Sequence, residues 1–256
     1  MRQFVLPREM PGGGQIRIED ADSKYILKVL RLNKGDTFPA VDKQGKRYHL
    51  KITDTGSNYF TADCSETEEH KNEELPSIIL IQCLPKGKKL ETIVRQAVEG
   101  GVSKIIPVQS ENSVAVIKED RNSKKTERLE KIAQEAAQQS GNSGVPEITA
   151  PIKMKDLQMV LESQNIDGVK LFFHQDRLAK KSLHRYLSSK AKTVCILIGP
   201  EGGFSPNEVN LLIASGFLPV YLGGNVLRTE TAAIYALGAV KTILLEREEW
   251  KTDIQK

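Results

Sequence analysis

The chain has 256 residues, of which 39% are hydrophobic and 27% charged, and it carries a formal net charge of +4. This composition excludes collagen-like, low-complexity and broadly disordered chains, and the length allows one large domain or two smaller ones. The longest apolar runs, such as 78–81 and 194–198, are far shorter than the roughly 20 residues that cross a bilayer. The N-terminus lacks the apolar segment of a signal peptide, so we expect a cytoplasmic protein.

Cysteine and histidine usage predicts neither disulfides nor a metal site. The three cysteines and four histidines are scattered along the chain, with no CxxC or HxxxH spacing. We therefore expect the cysteines to be buried, reduced thiols and expect no structural metal.

Charge is unevenly distributed along the first third of the chain. Residues 24–51 contain eight lysines and arginines against two acidic residues, whereas residues 54–74 contain seven acidic residues against one lysine. The basic stretch is suited to facing the phosphates of a nucleic acid, and it is equally typical of a solvated mixed-charge surface.

Residues 1–72 have the pattern of a small β-rich domain. Candidate strands, separated by glycine-containing turns, are 2–6, 15–18, 36–41, 47–52 and 59–63. One helix is predicted among them, with Asp20 or Asp22 as its cap. Its apolar stripe consists of Tyr25, Ile26, Val29 and Leu30. Five short strands with one helix predict a small β-barrel.

From residue 73 to residue 256, predicted strands alternate with amphipathic helices. The candidate strands are 78–84, 105–108, 169–173, 194–198 and 220–222. The candidate helices are 90–98, 129–137, 181–188, 206–214 and 231–245. This alternation predicts an α/β domain with a parallel sheet that is covered by helices on both faces.

Two glycine-rich segments follow predicted strands in this second domain. GPEGGFS begins at Gly199, and Ser205 with Glu208 has the spacing of a capping box at the start of a helix. GGNVLRTET begins at Gly223. Ligands bind at the carboxyl ends of parallel strands, where glycine lets backbone donors approach them. Each segment taken alone also fits a plain tight turn.

The glycine segments do not match the common phosphate-binding motifs. Neither is GxxxxGK[ST] or GxGxxG, so a nucleoside triphosphate or a dinucleotide is poorly supported. A ligand with an adenine ring and no phosphate fits better. The residues by themselves lead no further.

GPEGGFS and LGGNVLRTETAA closely resemble the C-terminal signature of SPOUT methyltransferases, specifically the RsmE family. The blocks RQFVLP, KVLRLNKGD, KGKKLETIVRQAVEGGVSKIIPV, EKIAQEAAQQSG and VPEI also resemble that family, in order. The resemblance implies a trefoil-knotted α/β domain over 73–256 and a PUA-like barrel over 1–72. It also implies a homodimer that methylates N3 of one specific uridine in 16S ribosomal RNA, within an assembled small ribosomal subunit.

The resemblance implies S-adenosylmethionine (SAM) as the cofactor, S-adenosylhomocysteine as its product, and no metal. It assigns cofactor binding to the ends of three strands and the loops after them. These residues are Phe172, Phe173, His174, Ile198, Gly199, Pro200, Gly202, Gly203, Leu222, Gly223, Asn225, Val226, Leu227, Thr231 and Ala232.

Three charged residues are candidates for catalysis. A guanidinium stabilises the negative charge that develops on the uracil carbonyl oxygens, and Arg228 is the first candidate for it. Glu230 or Glu201 is the candidate to accept the N3 proton or to position its acceptor, with a raised pKa if it is desolvated. Both acids also fit a purely architectural role in their loops.

The candidates for RNA binding lie in two basic segments. On the first domain they are Arg2, Arg8, Lys24, Lys28 and Arg31, and in the segment LPKGKKLE they are Lys86, Lys88 and Lys89. LPKGKKLE also fits a solvated helix start. Asn112 and Asn142 stand where the family usually has arginine, which predicts weaker contacts to RNA phosphates in their loops.

Two other functions stay open at this point. One is a SPOUT 2′-O-ribose methyltransferase that acts on another RNA, which the product nucleoside would decide. The other is a non-catalytic RNA-binding assembly factor, which a failure to bind SAM would favour.

Overall fold

The structure is a computed structural model that describes residues 3–7, 13–42, 46–67, 75–116, 119–142, 144–189 and 191–249. The chain divides into two compact units. The first comprises Met1–Asn72 and Gln134–Val145, and the second comprises Glu73–Ala133 and Pro146–Lys256. The segment Gln134–Val145 therefore belongs to the first unit, whereas the sequence places it in the second domain.

The first unit is built on a five-stranded sheet. Its strands are β1 (Phe4–Val5), β2 (Gly14–Glu19), β3 (Thr37–Val41), β4 (Arg47–Thr55) and β5 (Tyr59–Glu66), in the order β1-β3-β4-β5-β2. Alternate side chains of β4 and β5 are buried, as expected for an antiparallel pair with one face on the core. Tyr48, Leu50 and Phe60 are fully buried there. All five predicted strands occur, with shifted ends.

The helix of the first unit differs from its prediction. α1 (Asp20–Lys24) continues into a π-helical turn, Tyr25–Val29. A π-helical turn has a longer repeat than an α-helix, so the apolar stripe falls out of register and Val29 is 61% exposed. The predicted caps are also wrong. Asp22 lies inside α1, and Asp20, the first residue of α1, has a left-handed φ of +56°; Glu19, at the cap position, makes no capping hydrogen bond.

The second unit is built on a seven-stranded sheet in which every pair is parallel. Its strands are β6 (Ser77–Cys83), β7 (Lys104–Gln109), β8 (Glu147–Ile148), β9 (Ile152–Lys153), β10 (Val169–Phe173), β11 (Thr193–Ile198) and β12 (Leu218–Val220). The order is β12-β10-β11-β6-β7-β8, and β9 also pairs with β7. β12 begins and ends two residues before the predicted strand 220–222. Leu222 therefore belongs to the following loop.

Six α-helices follow β6 in the described part of the chain. They are α2 (Lys89–Glu99), α3 (Glu119–Ser140), α4 (Leu157–Ser163), α5 (Leu183–Tyr186), α6 (Pro206–Ala214) and α7 (Thr229–Glu249). The predicted stripe of α2, from Leu90 to Val98, is buried. α4, which spans only seven residues, was not predicted.

Three further findings concern the cysteines, the lengths of the helices and the groups that could hold a metal ion. Cys64, Cys83 and Cys195 are buried free thiols, as predicted. The helices within the described ranges are all too short or too polar to cross a membrane. The same ranges contain no group of three or more histidine, cysteine or acidic side chains that is placed to hold a metal ion.

Candidate active site

A cleft of about 800 Å³, including space that is continuous with solvent, lies at the carboxyl ends of β10, β11 and β12. These strands are neighbours or next neighbours in the parallel sheet, so their following loops meet at one edge.

Most of the predicted cofactor residues line this cleft. They are Phe173, His174, Ile198, Gly199, Pro200, Gly202, Gly203, Leu222, Gly223, Asn225, Val226, Leu227 and Ala232. Two lie outside its lining. Phe172 is fully buried and packs edge-to-face on Phe204, with ring centroids 6.0 Å apart, and Thr231 is exposed on the first turn of α7.

Four further lining residues are not among the predicted cofactor residues. One of them, Glu201, was predicted as a catalytic acid. Gln175 directly follows the predicted residue His174, and Phe204 lies inside GPEGGFS. Thr229 lies inside GGNVLRTET, the second glycine-rich segment.

The start of α7 is tied to the loop that follows β11, here called the glycine loop (residues 199–205). The Thr229 hydroxyl donates to the Gly199 carbonyl at 2.7 Å and accepts from Gln82 Nε2 at 3.0 Å. Gln82 is fully buried in β6, and Thr229 is only 3% exposed. One buried hydroxyl therefore joins the glycine loop, α7 and the sheet.

The glycine loop ends in the predicted capping box. Ser205 Oγ accepts from the Glu208 backbone N–H at 3.1 Å, and Glu208 Oε2 accepts from the Ser205 backbone N–H at 3.0 Å. The other carboxylate oxygen of Glu208 accepts from the Glu111 backbone N–H at 2.9 Å. Glu208 thereby links the start of α6 to the loop after β7.

Asn112 supports the glycine loop. Its Nδ2 donates to the Gly202 carbonyl at 3.2 Å and to the Gly203 carbonyl at 3.1 Å. A Cβ on Gly202 would lie 3.0 Å from the Asn112 Cβ, so glycine permits this close approach. Asn142 lies in the first unit, where its carbonyl accepts from Gln3 Nε2.

Lys89 joins two of the predicted catalytic acids. Its Nζ lies 2.8 Å from Glu201 Oε1 and 3.4 Å from Glu230 Oε2. Glu201 also accepts from the Lys86 backbone N–H at 3.3 Å. Lys89, predicted to bind RNA, is therefore engaged by carboxylates.

The raised pKa expected for a desolvated acid does not occur at Glu201. Partial burial raises the pKa of this carboxyl, but the hydrogen bonds from Lys89 and from backbone N–H groups outweigh that effect, so its pKa is lowered. The hydrogen bond to Glu201 raises the pKa of Lys89 in return. Glu201 is a stable carboxylate and a poor proton acceptor.

The remaining predicted cations are exposed where the structure describes them. Arg228 is exposed between the cleft residues Leu227 and Thr229. Lys24, Lys28, Arg31, Lys86 and Lys88 are also exposed. Arg2 and Arg8 lie outside the described residues.

Comparisons with known proteins agree with this geometry. The family model described as "RNA methyltransferase domain" matches residues 72–241, and the one described as "RNA methyltransferase PUA domain" matches residues 18–63. The chain is 33% identical over 244 residues to "Ribosomal RNA small subunit methyltransferase E" of Synechocystis sp., covering 94% of this chain and 78% of that protein.

Two solved structures extend the comparison. The Neisseria gonorrhoeae ribosomal RNA small subunit methyltransferase E bound to SAM matches with a TM-score of 0.83 at 28% identity, covering 95% of this chain and 98% of that one. A Legionella pneumophila protein in complex with bound SAM matches with a TM-score of 0.81 at 27% identity, covering 94% and 96%. These matches confirm the predicted resemblance and the SPOUT-type α/β fold with an N-terminal PUA-like domain. The chain belongs to the RNA methyltransferase family whose members include the ribosomal RNA small subunit methyltransferases E.

Proposed function

We propose that this RNA methyltransferase uses SAM to methylate N3 of a specific uridine in the 16S ribosomal RNA of the small subunit. The observation that carries the proposal is the cleft at the ends of β10, β11 and β12, formed by the segments that the family signature occupies. The relatives named as small subunit ribosomal RNA methyltransferases, and the neighbours solved with SAM, support it. The trefoil knot implied by the resemblance stays a prediction.

The residues of the cleft fit SAM by their chemistry. Glycines at 199, 202, 203 and 223 leave peptide groups accessible to a ligand, and Leu222, Val226 and Leu227 offer apolar surface to an adenine ring. The lining residues within the described chain include no lysine or arginine, which argues against a phosphorylated ligand. Glu201 brings a negative charge, which suits a sulfonium cation. SAM supplies a methyl group that is activated by that sulfonium.

The residues of this chain would then prepare the RNA base. Uracil N3 becomes nucleophilic once its proton leaves, and the charge spreads onto the flanking carbonyl oxygens. We assign Arg228 to stabilise that charge, because its exposed side chain lies between two cleft residues and has no hydrogen-bond or ionic partner among the described residues. Glu230 is the remaining candidate to take the proton or to position its acceptor, because hydrogen bonds lower the pKa of Glu201.

We assign RNA binding to the exposed cations of the two basic segments. On the first unit these are Lys24, Lys28 and Arg31, with Arg2 and Arg8 as further candidates outside the described residues, and on the second unit they are Lys86 and Lys88. Lysine and arginine on such surfaces neutralise phosphates irrespective of sequence. The partner would be 16S rRNA in an assembled small subunit, in the cytoplasm.

A homodimer is part of the proposal. Ala233 and Ala236 of α7 are fully buried in the single chain, so these two side chains pack in the core and are not available to a second copy. Tyr235 and Leu245, on the same helix, are 56% and 47% exposed, and such apolar side chains are available to a partner subunit.

Methyl transfer from labelled SAM to unmodified small ribosomal subunits tests the function. Naked 16S RNA runs in parallel, and the digested nucleosides are identified by mass spectrometry. 3-Methyluridine is the expected product, with a higher yield on the assembled particle. Ribose methylation would show that the target is wrong, and SAM binding without any transfer would point to an assembly factor.

A further inference from the structure

Lys89 is the first residue of α2, and its ammonium bridges two segments of the cleft region. Nζ lies 2.8 Å from Glu201 in the glycine loop and 3.4 Å from Glu230 in the first turn of α7. The Lys86 backbone N–H, in the turn just before α2, donates to the same Glu201 carboxylate. Three separate stretches of chain therefore meet at one lysine.

Helix stability does not explain a lysine at this position. The N-terminal end of a helix carries a partial positive charge and favours acidic residues, so a cation in the first turn of α2 is unfavourable on its own. Lys88, its neighbour, is exposed and has no acidic partner among the described residues. Lys88 and Lys89 are adjacent but have different surroundings, and of these two only Lys89 has acidic partners.

The two carboxylates depend on that ammonium. Glu230 Oε2 is buried and accepts no hydrogen bond of good geometry from the described residues, so the contact with Lys89 Nζ supplies its charge compensation. Without the ammonium, two carboxylates would face each other with one oxygen away from water. Like charges in partly buried positions repel each other, so the part of the glycine loop around Glu201 would move away from the first turn of α7.

We propose that Lys89 is a positioning residue of this methyltransferase, whose ammonium holds the glycine loop against the first turn of α7 and so fixes the shape of the cleft for SAM. It does not act as an RNA-phosphate contact. This inference rests on the proposed function, in which the cleft binds SAM.

Calorimetric titration of SAM without RNA, together with binding of naked 16S RNA without SAM, tests this role. The variants are Lys89→Met, Lys89→Arg and, as the matched control, Lys88→Met. We expect Lys89→Met to raise the SAM Kd about five- to tenfold, since two partly exposed ion pairs each contribute up to a factor of about five. Lys89→Arg should restore SAM affinity to within about twofold because it keeps the charge.

RNA binding distinguishes a residue that positions the cleft from one that contacts an RNA phosphate. Lys89→Met should leave the salt dependence of RNA binding unchanged, whereas Lys88→Met should reduce it and leave the SAM Kd unchanged. Normal SAM binding with weakened RNA binding in Lys89→Met would overturn the proposal. Absence of SAM binding by the wild-type chain would overturn the proposed function itself, and this role with it.

A double-mutant cycle keeps the test independent of folding defects in one variant. Glu201→Gln removes the stronger contact from the opposite side and should also weaken SAM binding. Adding Lys89→Met to Glu201→Gln should then have a much smaller further effect on the SAM Kd, because the shared link is already lost. Fully additive effects of the two substitutions would contradict the proposed link.

Discussion

The two long walls of the cleft are built in opposite ways. The glycine loop is held at its start and in its middle. Thr229 bonds to Gly199 at the start, Lys89 pairs with Glu201, and Asn112 donates to the carbonyls of residues 202 and 203. The facing segment, residues 222–227, makes no hydrogen bond to another described residue, and Val226 in it is 78% exposed.

This difference indicates that the two walls contribute to ligand binding in different ways. The anchored glycine loop presents backbone groups in a fixed arrangement before any ligand arrives, which lowers the cost of binding. The segment 222–227 presents apolar side chains that remain in water until a ligand covers them. Substitutions in the first wall should therefore change the stability of the fold as well as ligand binding, and those in the second should change ligand binding alone.

The largest effect on stability should come from Thr229→Val. This isosteric change removes the hydroxyl that bonds the Gly199 carbonyl and Gln82, so the free energy of unfolding should fall by about 1–3 kcal/mol. Denaturant titration measures it. Thr231→Val is the matched control: Thr231 is exposed two residues further along the same helix, and its replacement should cost under about 0.5 kcal/mol. Equal losses of unfolding free energy in Thr229→Val and Thr231→Val would show that the Thr229 hydroxyl has no special role in the fold.

A smaller effect is expected from Asn112→Ala. Its amide makes two hydrogen bonds to the glycine loop, and their loss should weaken SAM binding about fivefold, corresponding to about 1 kcal/mol. Calorimetry measures the Kd. Glu111→Ala is the control, because Glu111 contributes its backbone N–H to Glu208 and keeps it after substitution. A loss of RNA affinity with normal SAM affinity in Asn112→Ala would favour an RNA contact instead.

Val226→Ala probes the second wall. Because Val226 is largely exposed, the free energy of unfolding should change by less than about 0.5 kcal/mol. SAM affinity should fall about three- to tenfold, since up to two buried carbon groups are removed from the contact. Thermal unfolding with and without SAM measures both quantities. An unaltered SAM affinity would contradict the assignment of this segment to the ligand.

The smallest effect should be a pH dependence that arises from Glu201. Its pKa in the folded chain lies below the ordinary value of 4.5, so its ionised form stabilises the fold above pH 4.5 and this contribution is lost as the pH falls through the folded pKa. Wild type should therefore lose stability relative to Glu201→Gln below about pH 4.5, by less than about 1 kcal/mol for so exposed a pair. If the stability difference between wild type and Glu201→Gln stayed constant from neutral to acidic pH, the contribution assigned to the Glu201 carboxylate would be contradicted.

Local patterns in the sequence predicted most of the fold. The alternation of strands and helices, the buried stripe of α2 and the capping box of Ser205 and Glu208 all depend on residues close together in the chain, and all occur. The prediction that Val29 belongs to the apolar stripe of an α-helix was wrong for a physical reason, because the π-helical turn changes the residue spacing on which the prediction rests.

The contacts that hold the glycine loop could not be predicted in this way. Asn112 bonds carbonyls 90 and 91 positions away, and Lys89 reaches Glu201 over 112 positions. From residue type and spacing, Lys89 was predicted to bind RNA and Asn112 was related to contacts with RNA phosphates. Nothing in the neighbouring sequence indicates that either side chain contacts another loop of the protein. Only the pairing of strands brings those loops together.

The most direct test of the central claim separates SAM binding from methyl transfer in Arg228→Ala. Arg228 stands between the cleft residues Leu227 and Thr229 in the chain, and its side chain is exposed and bonded to no described side chain, so the SAM Kd should stay within about twofold of wild type. Single-turnover methyl transfer to small subunits should fall by about a hundredfold or more, as when a group that stabilises developing charge is removed. Equal losses in SAM binding and in the transfer rate would contradict the account, because Arg228 would then belong to the cofactor site.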